Sequence, residues 1–441
     1  MSSLASSPAS SPLPVAIVGG GFSGAMLAAR LAELGQASIL IDRTGRFGLG
    51  VAYSTPFEGH LLNVRSGRMS AIETRPDDFV RWLEANRPEL ADPHDFAPRA
   101  VYGRYVQARL AAVEATFPGR IERRQDVVVS IETGGVTLAE GGFIPARAVV
   151  LATGNPPPGS APGAARVIRD GWAPGALDGV GPEDTILIVG TGLTMVDMLQ
   201  SLQGRGWRGR AVALSRRGLL PRAHAERPDA PATLPHDALT GPASVRLHAA
   251  RALAGQAGWR ETMEAFRPIT ASLWMEASPP VRARLVRHLR AWWDVHRHRI
   301  AGRVAEGLER LKSEGRLTVV SGRLGRVAAD DAGVVVDWSP RGGGVAAPLK
   351  ADWLIDCTGP GHSAATDPLT GPLIASGRAR MDPLGLGLDL DGDGRALGAD
   401  GRPDPALHVL GPPARAAFWE TIAVPDIRKR IEDTARVLSA P

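Results

Sequence analysis

The sequence predicts an α/β fold built from two similar units, each a parallel sheet with helices, the second unit inserted in the first. Two observations predict this fold. A buried-strand pattern runs into a glycine turn and an apolar helix pattern at 15–35, and the same order returns at 186–197. Short strands then follow in each unit and end in an apolar strand before a glycine, Gly154 in the first unit and Gly359 in the second. A polar, helical insertion is expected at about 224–312.

Length and composition set the frame for this prediction. The chain has 441 residues and a net charge of +5, enough length for two or three domains. Its arginines are scattered, which indicates sites for phosphates or carboxylates and argues against a nucleic-acid-binding tail, although a genome rich in arginine codons explains them as well. The single cysteine, Cys357, excludes an internal disulfide and a Cys-x-x-Cys centre.

The N-terminal sequence and the hydropathy of the chain predict its cellular location. Residues 1–13 are rich in Ser, Ala and Pro and lack a basic start, so we expect a disordered tail rather than a signal peptide. No apolar run reaches the length of a membrane span. We therefore expect a soluble cytoplasmic protein without a membrane or nucleic-acid partner, either a monomer or a homodimer.

The first glycine turn has the spacing Gly19-x-Gly21-x-x-Gly24, between the strand "VAIV" and a helix. These glycines serve a tight turn, close approach to a pyrophosphate and close helix–strand packing. The next strand, "SILID", ends in Asp42, at the spacing at which an acid meets ribose hydroxyls. The pattern predicts a Rossmann-like dinucleotide-binding unit, and the alternative is a glycine turn in an unrelated α/β unit.

The second turn keeps Gly190 and Gly192 but has Met195 at the third glycine position, so the helix is expected to pack less closely there. The following strand, "AVALSRRG", has no acid at its end and instead has Ser215, Arg216 and Arg217. Arginines there suit a 2′-phosphate, which favours NADPH over NADH without excluding NADH. The alternative is that these arginines face solvent.

The helical insertion contains the run "DVHRHR" at 294–299. Its basic and titratable side chains cannot share one face, so one pair is expected to point inward and to meet a phosphate or an acidic substrate. The alternative is an ordinary helical subdomain, and the spacing favours no metal site. The candidate substrate contacts are Arg267, Trp274, His296 and Arg297.

The C-terminal segment reads as a strand, a Gly-Pro turn, a loop and a helix. Pro425 suits the first position of the helix and Asp426 its first turn. This helix start is expected near the negative charge of a reduced flavin. The predicted boundaries are a tail at 1–13, a first part of the flavin domain at 14–170, a nicotinamide domain at 171–350, and the rest of the flavin domain at 351–441.

Two dinucleotide units in one chain predict two dinucleotides, a resident FAD and an NAD(P)H that delivers a hydride. Disulfide reductases need a cysteine pair, which this chain lacks. The leading hypothesis is a monooxygenase that uses O2, through a flavin hydroperoxide, to hydroxylate a small molecule. One alternative is a flavin dehydrogenase or reductase that passes electrons to a quinone or a protein acceptor. Another is a flavin redox sensor or RNA-associated protein, against which the second loop argues.

Five stretches carry a family resemblance: "VGGGFSG", "GLGVAYST", "HLLNVRSGRMSA", "WDVHRHRI" and "GPPARAAFWETIAVPDIR". Together, from about Pro14 to the C-terminal helix, the chain resembles the bacterial FAD/NAD(P)-binding oxidoreductases that include FAD-dependent urate hydroxylases. It is more distantly similar to amine N-hydroxylases and flavin-containing monooxygenases. The resemblance implies FAD on the first unit, NAD(P)H on the second, and hydroxylation of a nitrogenous or aromatic molecule, of which urate is one acidic example.

The resemblance also implies roles for individual residues. Asn63 and Met69 are expected close to the flavin, while Gly411 and Val424 would close its pyrimidine side. Arg65 departs from the family pattern, which more often has proline there. The full set of expected cofactor contacts is Gly19, Gly21, Gly24, Asp42, Gly50, Asn63, Met69, Gly154, Gly190, Gly192, Ser215, Arg216, Arg217, Gly359, Gly411 and Val424.

Overall fold

A computed structural model describes residues 12–156, 165–228, 230–359 and 364–440. The predicted tail at 1–13 lies outside these ranges except for its last two residues. Among the described residues, no helix combines the length and the apolar character needed to cross a membrane.

The elements follow the chain in three segments. The first segment, 12–156, contains β1 (Val15–Val18), α1 (Phe22–Glu33), β2 (Ser38–Asp42), α2 (Gly50–Tyr53), α3 (Asp78–Asn86), α4 (Arg99–Thr116), β3 (Ile121–Gln125), β4 (Val128–Glu132), β5 (Gly135–Leu138), β6 (Gly142–Pro145) and β7 (Ala148–Leu151). The second, 165–359, begins with β8 (Val167–Ile168), β9 (Ile186–Val189), α5 (Leu193–Gly204) and β10 (Ala211–Ser215).

The helical insertion comes next, with α6 (His236–Leu239), α7 (Ala243–Ala257), α8 (Trp259–Phe266), α9 (Thr270–Glu276), α10 (Pro279–His288), α11 (Arg290–Arg297) and α12 (Gly302–Ser313). The second segment ends with β11 (Leu317–Asp330), β12 (Gly333–Pro340), β13 (Leu349–Ala351) and β14 (Trp353–Asp356). The last segment, 364–440, contains α13 (Thr370–Ala375), β15 (Arg395–Leu397), β16 (Pro403–Val409), α14 (Arg415–Phe418) and α15 (Val424–Ser439).

The first sheet has the strand order β15-β16-β7-β1-β2-β3. All its pairs are parallel except β15 with β16. The central strand β1 is buried throughout, as expected for a parallel strand covered on both faces. Helix α1 is buried along most of its length because α4 and α15 pack beside it on the sheet.

The second sheet repeats this plan, with the order β13-β12-β11-β10-β9-β14-β8. Strands β11, β10, β9, β14 and β8 are parallel, and β12 and β13 extend the sheet in antiparallel pairs. The central strands of the two sheets, β1 and β9, have equivalent register with their neighbours. Val15 lies opposite Ser38 and Ala148, and Ile186 lies opposite Ala211 and Trp353. The predicted repetition of strand, turn, helix and returning strand is therefore present in the backbone.

Sheet membership bears on the predicted domain boundaries. The first sheet takes strands from both ends of the chain, with β15 and β16 beside β7, whereas the second sheet is built from one stretch. Strands β8 and β14 both lie in the second sheet, although the predicted limits at 170 and 350 place them in the flavin domain. We therefore propose limits near 165 and 359 instead.

A buried polar network joins the two units. Helix α5, which follows the second glycine turn, carries Asp197, whose carboxylate accepts two hydrogen bonds from the guanidinium of Arg99, each at 2.9 Å. The ring of His60 is almost fully buried between the units, with Nε2 3.0 Å from Ser201 Oγ and Nδ1 2.8 Å from Thr55 Oγ1. These contacts connect α5 to the first residue of α4 and to the loop that follows α2, both in the first unit.

Candidate cofactor and substrate site

The first glycine turn is shaped by backbone that leaves no room for side chains. Gly19 has φ +109°, and a Cβ there would collide with the carbonyl oxygen of Ala152 at the end of β7. A Cβ on Gly24 would collide with the carbonyl oxygen of Gly19. A Cβ on Gly21 would come within 3.5 Å of Gly50, another predicted contact, so these two glycines face each other. The N-terminus of α1 is left free to meet an anion.

Asp42 stands at the end of β2, beside this turn. Its Oδ2 accepts a hydrogen bond from the Gly20 amide at 2.8 Å, and its Oδ1 accepts bonds from the Thr44 amide and hydroxyl at 2.8 and 2.6 Å. A carboxylate offers about four acceptor positions, so capacity for a ribose hydroxyl is left. The contact with ribose stays a prediction.

The second turn reproduces the first. Gly190 has φ +107°, and its Cβ would collide with the carbonyl oxygen of Cys357 after β14. The Gly190 amide donates to Leu214 at 2.8 Å, as the Gly19 amide donates to Ile41 at 2.8 Å. Gly192 faces open space.

The third position is where the two turns differ. Met195 is fully buried in the core of the second unit. The first turn could not accept even a Cβ at the matching residue, Gly24. The looser packing expected from the sequence is therefore present.

The end of β10 holds Ser215 where the first unit has Asp42. The Ser215 hydroxyl accepts hydrogen bonds from Thr191 Oγ1 at 2.8 Å and from the Gly218 amide at 3.0 Å. Arg216 is exposed and Arg217 half-buried, and neither forms an ion pair with a carboxylate of the described residues. Arg217 Nη2 donates a long hydrogen bond to the Arg287 carbonyl at 3.5 Å, and both guanidinium groups keep donors for an anion beside the turn.

Helix α15 brings the C-terminal segment to the first turn. Arg30 of α1 pairs with Glu432 at 2.7 Å, and Arg147, before β7, donates to the Leu438 carbonyl at 2.7 Å. The two helices therefore run side by side in the same direction, and both N-termini lie at the carboxyl edge of the first sheet. A Cβ on Gly411, which has φ +77°, would lie 2.5 Å from Ser23 Oγ of α1.

The remaining predicted flavin contacts lie near this edge or follow a strand. Asn63 presents its carbonyl oxygen 3.0 Å from His224 Nε2, and burial lowers the pKa of His224 to about 3. Met69 is buried in the first core, and Val424 is the first residue of α15. Gly154 and Gly359 follow the strands β7 and β14 with φ +73° and +96°.

Arg65, which stands where the family pattern more often has proline, links two segments of the chain through its buried side chain. Its guanidinium is buried, donates to the Ala225 carbonyl at 2.5 Å and to the His94 carbonyl, and lies 5.1 Å from the centre of the Phe96 ring. Arg65 therefore ties the loop beside the expected flavin to the start of the helical insertion. Nothing in the sequence pattern indicated this role.

The helical insertion docks on the C-terminal segment through two of the four predicted substrate contacts, Arg297 and Trp274. Arg297 Nη2 lies 2.9 Å from Asp426 Oδ2, in the first turn of α15. Trp274 donates its Nε1–H to the Ala416 carbonyl at 2.8 Å and packs on Trp419, with ring centres 4.6 Å apart. Arg267 is buried beside Arg297.

His296 lies apart from this group. Its Nδ1 is 2.8 Å from the Trp292 carbonyl of its own helix, and its ring meets the edge of Trp259. The inward pair of the 294–299 run is therefore Arg297 and Arg299, both buried, rather than a pair that includes His296.

Several residues of the site were not singled out from the sequence. Glu420 is buried and accepts a hydrogen bond from Trp293 Nε1 at 2.7 Å. Trp419 has φ +60° and ψ −58°, and the Glu420 amide donates to the Phe418 carbonyl at 2.7 Å, which makes a tight three-residue turn. A positive φ is signalled in sequence by glycine or asparagine, so a tryptophan gives no warning of it.

The chain is similar to known flavin-dependent proteins in part of its sequence and in its fold. Residues 16–156 match the model of a family described as FAD-NAD(P)-binding. A structure of the ornithine N-hydroxylase from Kutzneria sp. 744, with reduced FAD, NADP+ and L-ornithine, is similar over 97% of this chain and 98% of that one, at 16% identity and a TM-score of 0.68.

Two further structures share the fold. The L-lysine 6-monooxygenase from Pseudomonas syringae has 15% identity and a TM-score of 0.65, covering 97% of this chain and 99% of that one. Thioredoxin reductase from T. acidophilum has 11% identity and a TM-score of 0.53, covering 97% and 98%. The likeness confirms the predicted α/β architecture of two dinucleotide-binding folds.

Proposed function

We propose that the chain is an FAD- and NADPH-dependent monooxygenase that hydroxylates a small nitrogenous or aromatic molecule. One observation carries the proposal: two glycine turns of equivalent register, each at the carboxyl edge of its own parallel sheet. That edge, before a helix N-terminus, is where dinucleotides bind in this class of fold. Two such places in one chain suit one resident and one exchanging dinucleotide.

The first unit fits FAD. The turn at Gly19 and Gly24 keeps the N-terminus of α1 clear of side chains, Asp42 stands beside it for the adenosine ribose, and α15 directs its own N-terminus to the same edge. When bound, FAD would supply the electron transfer and the reaction with O2. The chain would bind and orient it and exclude water.

The second unit fits NADPH. Ser215 replaces the acid that would repel a 2′-phosphate, and Arg216 and Arg217 follow it without carboxylate partners among the described residues. A guanidinium fork binds a phosphate with two hydrogen bonds. This arrangement supports NADPH as the preferred hydride donor.

The choice of a monooxygenase over a thiol reductase rests on the cysteine. Cys357 is the one cysteine of the sequence and is buried, and burial raises the pKa of its thiol. A disulfide reductase needs a reactive pair, so the likeness to thioredoxin reductase does not extend to that chemistry. The N-hydroxylases with matching architecture support hydroxylation of a nitrogenous substrate instead. Urate stays one candidate among small acids.

The test is incorporation of isotopic oxygen. The holoprotein is incubated with NADPH and 18O2 and, in separate reactions, with L-ornithine, L-lysine, urate and a panel of aromatic acids. The 18O content of the products is measured by mass spectrometry. We expect one labelled oxygen atom in a product, together with substrate-stimulated NADPH oxidation. Rapid NADPH oxidation with quinones or dyes under argon, and no labelled product from any compound, would replace the proposal with the flavin reductase alternative.

A further inference from the structure

An aromatic cluster beside the start of α1 contains all three tyrosines of the chain. Tyr53 is the last residue of α2, and Tyr102 and Tyr105 lie on α4. The ring centres of Tyr53 and Tyr102 are 4.7 Å apart, and those of Tyr102 and Tyr105 are 5.5 Å apart. Trp82 of α3 follows, with its ring centre 5.8 Å from that of Tyr105. These four side chains, the aromatic row, therefore form a continuous series of contacts between phenol and indole rings, the aromatic groups that lose an electron most readily.

The aromatic row runs from the first glycine turn to the surface. At one end, Tyr53 closes the short helix α2, which starts at Gly50 opposite the turn. The Tyr53 ring also packs on the first residue of α1, with ring centres 6.4 Å apart. At the other end, Trp82 is partly exposed, whereas Tyr102 and Tyr105 have no exposed surface. The aromatic row thus connects the edge at which FAD is expected with the solvent.

Packing alone does not favour a tyrosine at position 102. The Tyr102 hydroxyl is buried and has no hydrogen-bond partner among the described residues. A buried hydroxyl without a partner destabilises the folded chain, and phenylalanine would fill nearly the same volume without that loss. Burial also raises the pKa of Tyr102 well above its ordinary value, so the side chain stays a neutral phenol. A phenol gives up an electron more readily than the phenyl ring that packing would favour.

Tyr105, the next phenol of the aromatic row, has a proton acceptor. Its hydroxyl donates to Asp78 Oδ2 at 2.7 Å, and its oxygen accepts a hydrogen bond from the Ala71 amide at 3.0 Å. Arg109 and Arg75 lie farther from the same carboxylate, at 3.5 and 3.7 Å. Loss of an electron makes a phenol strongly acidic, so an electron hole is stable only where the proton can leave. Tyr105 offers that exit, since an ionised carboxylate accepts the proton and the amide holds the oxygen in place.

We propose that Tyr105 is a redox-active tyrosine and that the aromatic row carries oxidising equivalents from the first glycine turn to the surface. This inference goes beyond the proposed function and rests on it only for the oxidant, an oxygen-centred radical formed when a reduced flavin meets O2 without hydroxylating a substrate. Such radicals would otherwise attack the chain around the cofactor. The aromatic row leads the damage to a side chain that soluble reductants can reach.

The electrons and the proton balance in two stages. First, the oxygen-centred radical takes one electron from Tyr53 and becomes an anion, Tyr102 returns an electron to Tyr53, and Tyr105 returns one to Tyr102. Tyr105 then gives its proton to Asp78 and remains a neutral tyrosyl radical, while the other two phenols are intact. Second, a soluble thiol or ascorbate is oxidised by one electron, which reaches Tyr105 through Trp82, and Asp78 returns the proton.

The test creates the hole from outside and needs no turnover. Pulse radiolysis of the oxidised holoprotein in azide solution generates azide radicals, which take one electron from accessible tryptophans, and the absorbance of indolyl and tyrosyl radicals is followed over time. Because the aromatic row contains every tyrosine of the chain, any tyrosyl radical reports on it. We expect an indolyl radical to convert to a tyrosyl radical in a first-order step whose rate does not depend on the protein concentration.

Variants assign the two radicals. Tyr105→Phe and Trp82→Phe should each abolish the conversion, whereas Trp292→Phe, at an exposed tryptophan of α11, should leave its rate unchanged. Asp78→Asn should slow the conversion at least about tenfold, because a positioned proton acceptor contributes at least that much. A conversion that survives in Tyr105→Phe, or that keeps its wild-type rate in Asp78→Asn, would overturn the proposal, as would a rate that rises with protein concentration.

A second experiment tests the end at the first glycine turn. The holoprotein oxidises NADPH in air without a substrate, and the oxidised residues are mapped by mass spectrometry. We expect oxidation of Trp82 in the wild-type protein and its loss in Tyr102→Phe, in which the aromatic row is interrupted. Equal oxidation of Trp82 in both proteins would overturn the connection to the turn. Absence of NADPH oxidation, with an intact conversion in pulse radiolysis, would instead refute the proposed function and leave Tyr105 as a redox-active residue.

Discussion

At the scale of single residues, Arg216 and Arg217 are expected to decide the choice of nicotinamide dinucleotide. They follow the strand that ends at Ser215 and have no carboxylate partner among the described residues. Replacing both with glutamine should raise the KM for NADPH at least about tenfold, the value of a lost charge-assisted hydrogen bond or two. The KM for NADH should change less than about threefold, as measured by steady-state oxidation of each dinucleotide.

The control for this pair is Arg208→Gln, an exposed arginine of the same unit. It should leave both KM values unchanged. If the double variant weakened NADPH and NADH equally, the 2′-phosphate assignment would be wrong, and the arginines would belong to the solvated surface.

His224 makes stability depend on pH in a defined direction. Its pKa in the folded chain is about 3, against an ordinary value of 6.5, because burial disfavours the charged ring. Between these values the unfolded chain binds a proton that the folded chain does not, so stability is complete above pH 6.5 and falls as the pH falls towards 3. One such histidine contributes a slope of about 1.4 kcal/mol per pH unit.

His224→Gln should therefore flatten the curve of unfolding free energy against pH by about 1.4 kcal/mol per unit between about pH 4 and pH 6. Glutamine can still donate to Asn63, and any constant loss from altered packing does not change the slope. Urea unfolding across this range measures it, with exposed His248→Gln as the control. An unchanged slope in His224→Gln would mean that His224 is protonated in the folded chain.

At the scale of elements, the docking of α11 on the C-terminal segment can be measured by one tryptophan. Trp293 donates to the buried carboxylate of Glu420, and its neighbour Trp292 is 40% exposed. Trp293→Phe should cost about 1–3 kcal/mol of unfolding free energy, because it leaves Glu420 short of a donor. Trp292→Phe should stay within about 0.5 kcal/mol. Equal losses in urea unfolding would show that the hydrogen bond contributes nothing specific.

The elements also show what a sequence can and cannot predict. Both glycine turns were predictable, because a positive φ and a close backbone approach admit glycine almost alone. The position of Asp42 followed from spacing, and the start of α15 from Pro425 and Asp426, although the helix begins one residue earlier than predicted, at Val424. The tight turn at Trp419 was not predictable, since tryptophan carries no signal for that conformation. The position of His296, away from the C-terminal segment, was not predictable either, because helical spacing alone does not fix which face of the helix meets that segment.

At the scale of the whole molecule, the buried pair of Arg99 and Asp197 is expected to set the relative position of the two folds. Asp197→Asn should cost about 3–5 kcal/mol, because it leaves the Arg99 guanidinium buried without its partner. Replacing both residues with methionine should recover most of that loss. The exposed pair of Arg205 and Asp178 provides the control, and Asp178→Asn should cost less than about 1 kcal/mol.

A kinetic readout separates this positioning from stability alone. In Asp197→Asn, the rate of flavin reduction by saturating NADPH should fall at least about tenfold, since hydride transfer needs a near-contact geometry. Reduction by dithionite needs no second fold and should keep its rate. If NADPH and dithionite reduction both kept their wild-type rates, the pair would be a structural contact without influence on hydride transfer. Sequence could not reveal the pair, because its partners lie 98 residues apart in the chain and the pattern at 186–197, which contains Asp197, gives no sign of Arg99.

The interleaving of the two sheets has a consequence for how the chain is made. The second sheet is drawn from one continuous stretch, 165–359, so it can be completed while the ribosome is still adding the last segment. The first sheet waits for β16, which pairs with β7 across more than half the length of the chain. Until then the edge of β7 stands open to other strands. The nicotinamide fold would thus mature first, and the strands of the first sheet would depend on a segment synthesised after it to cover them.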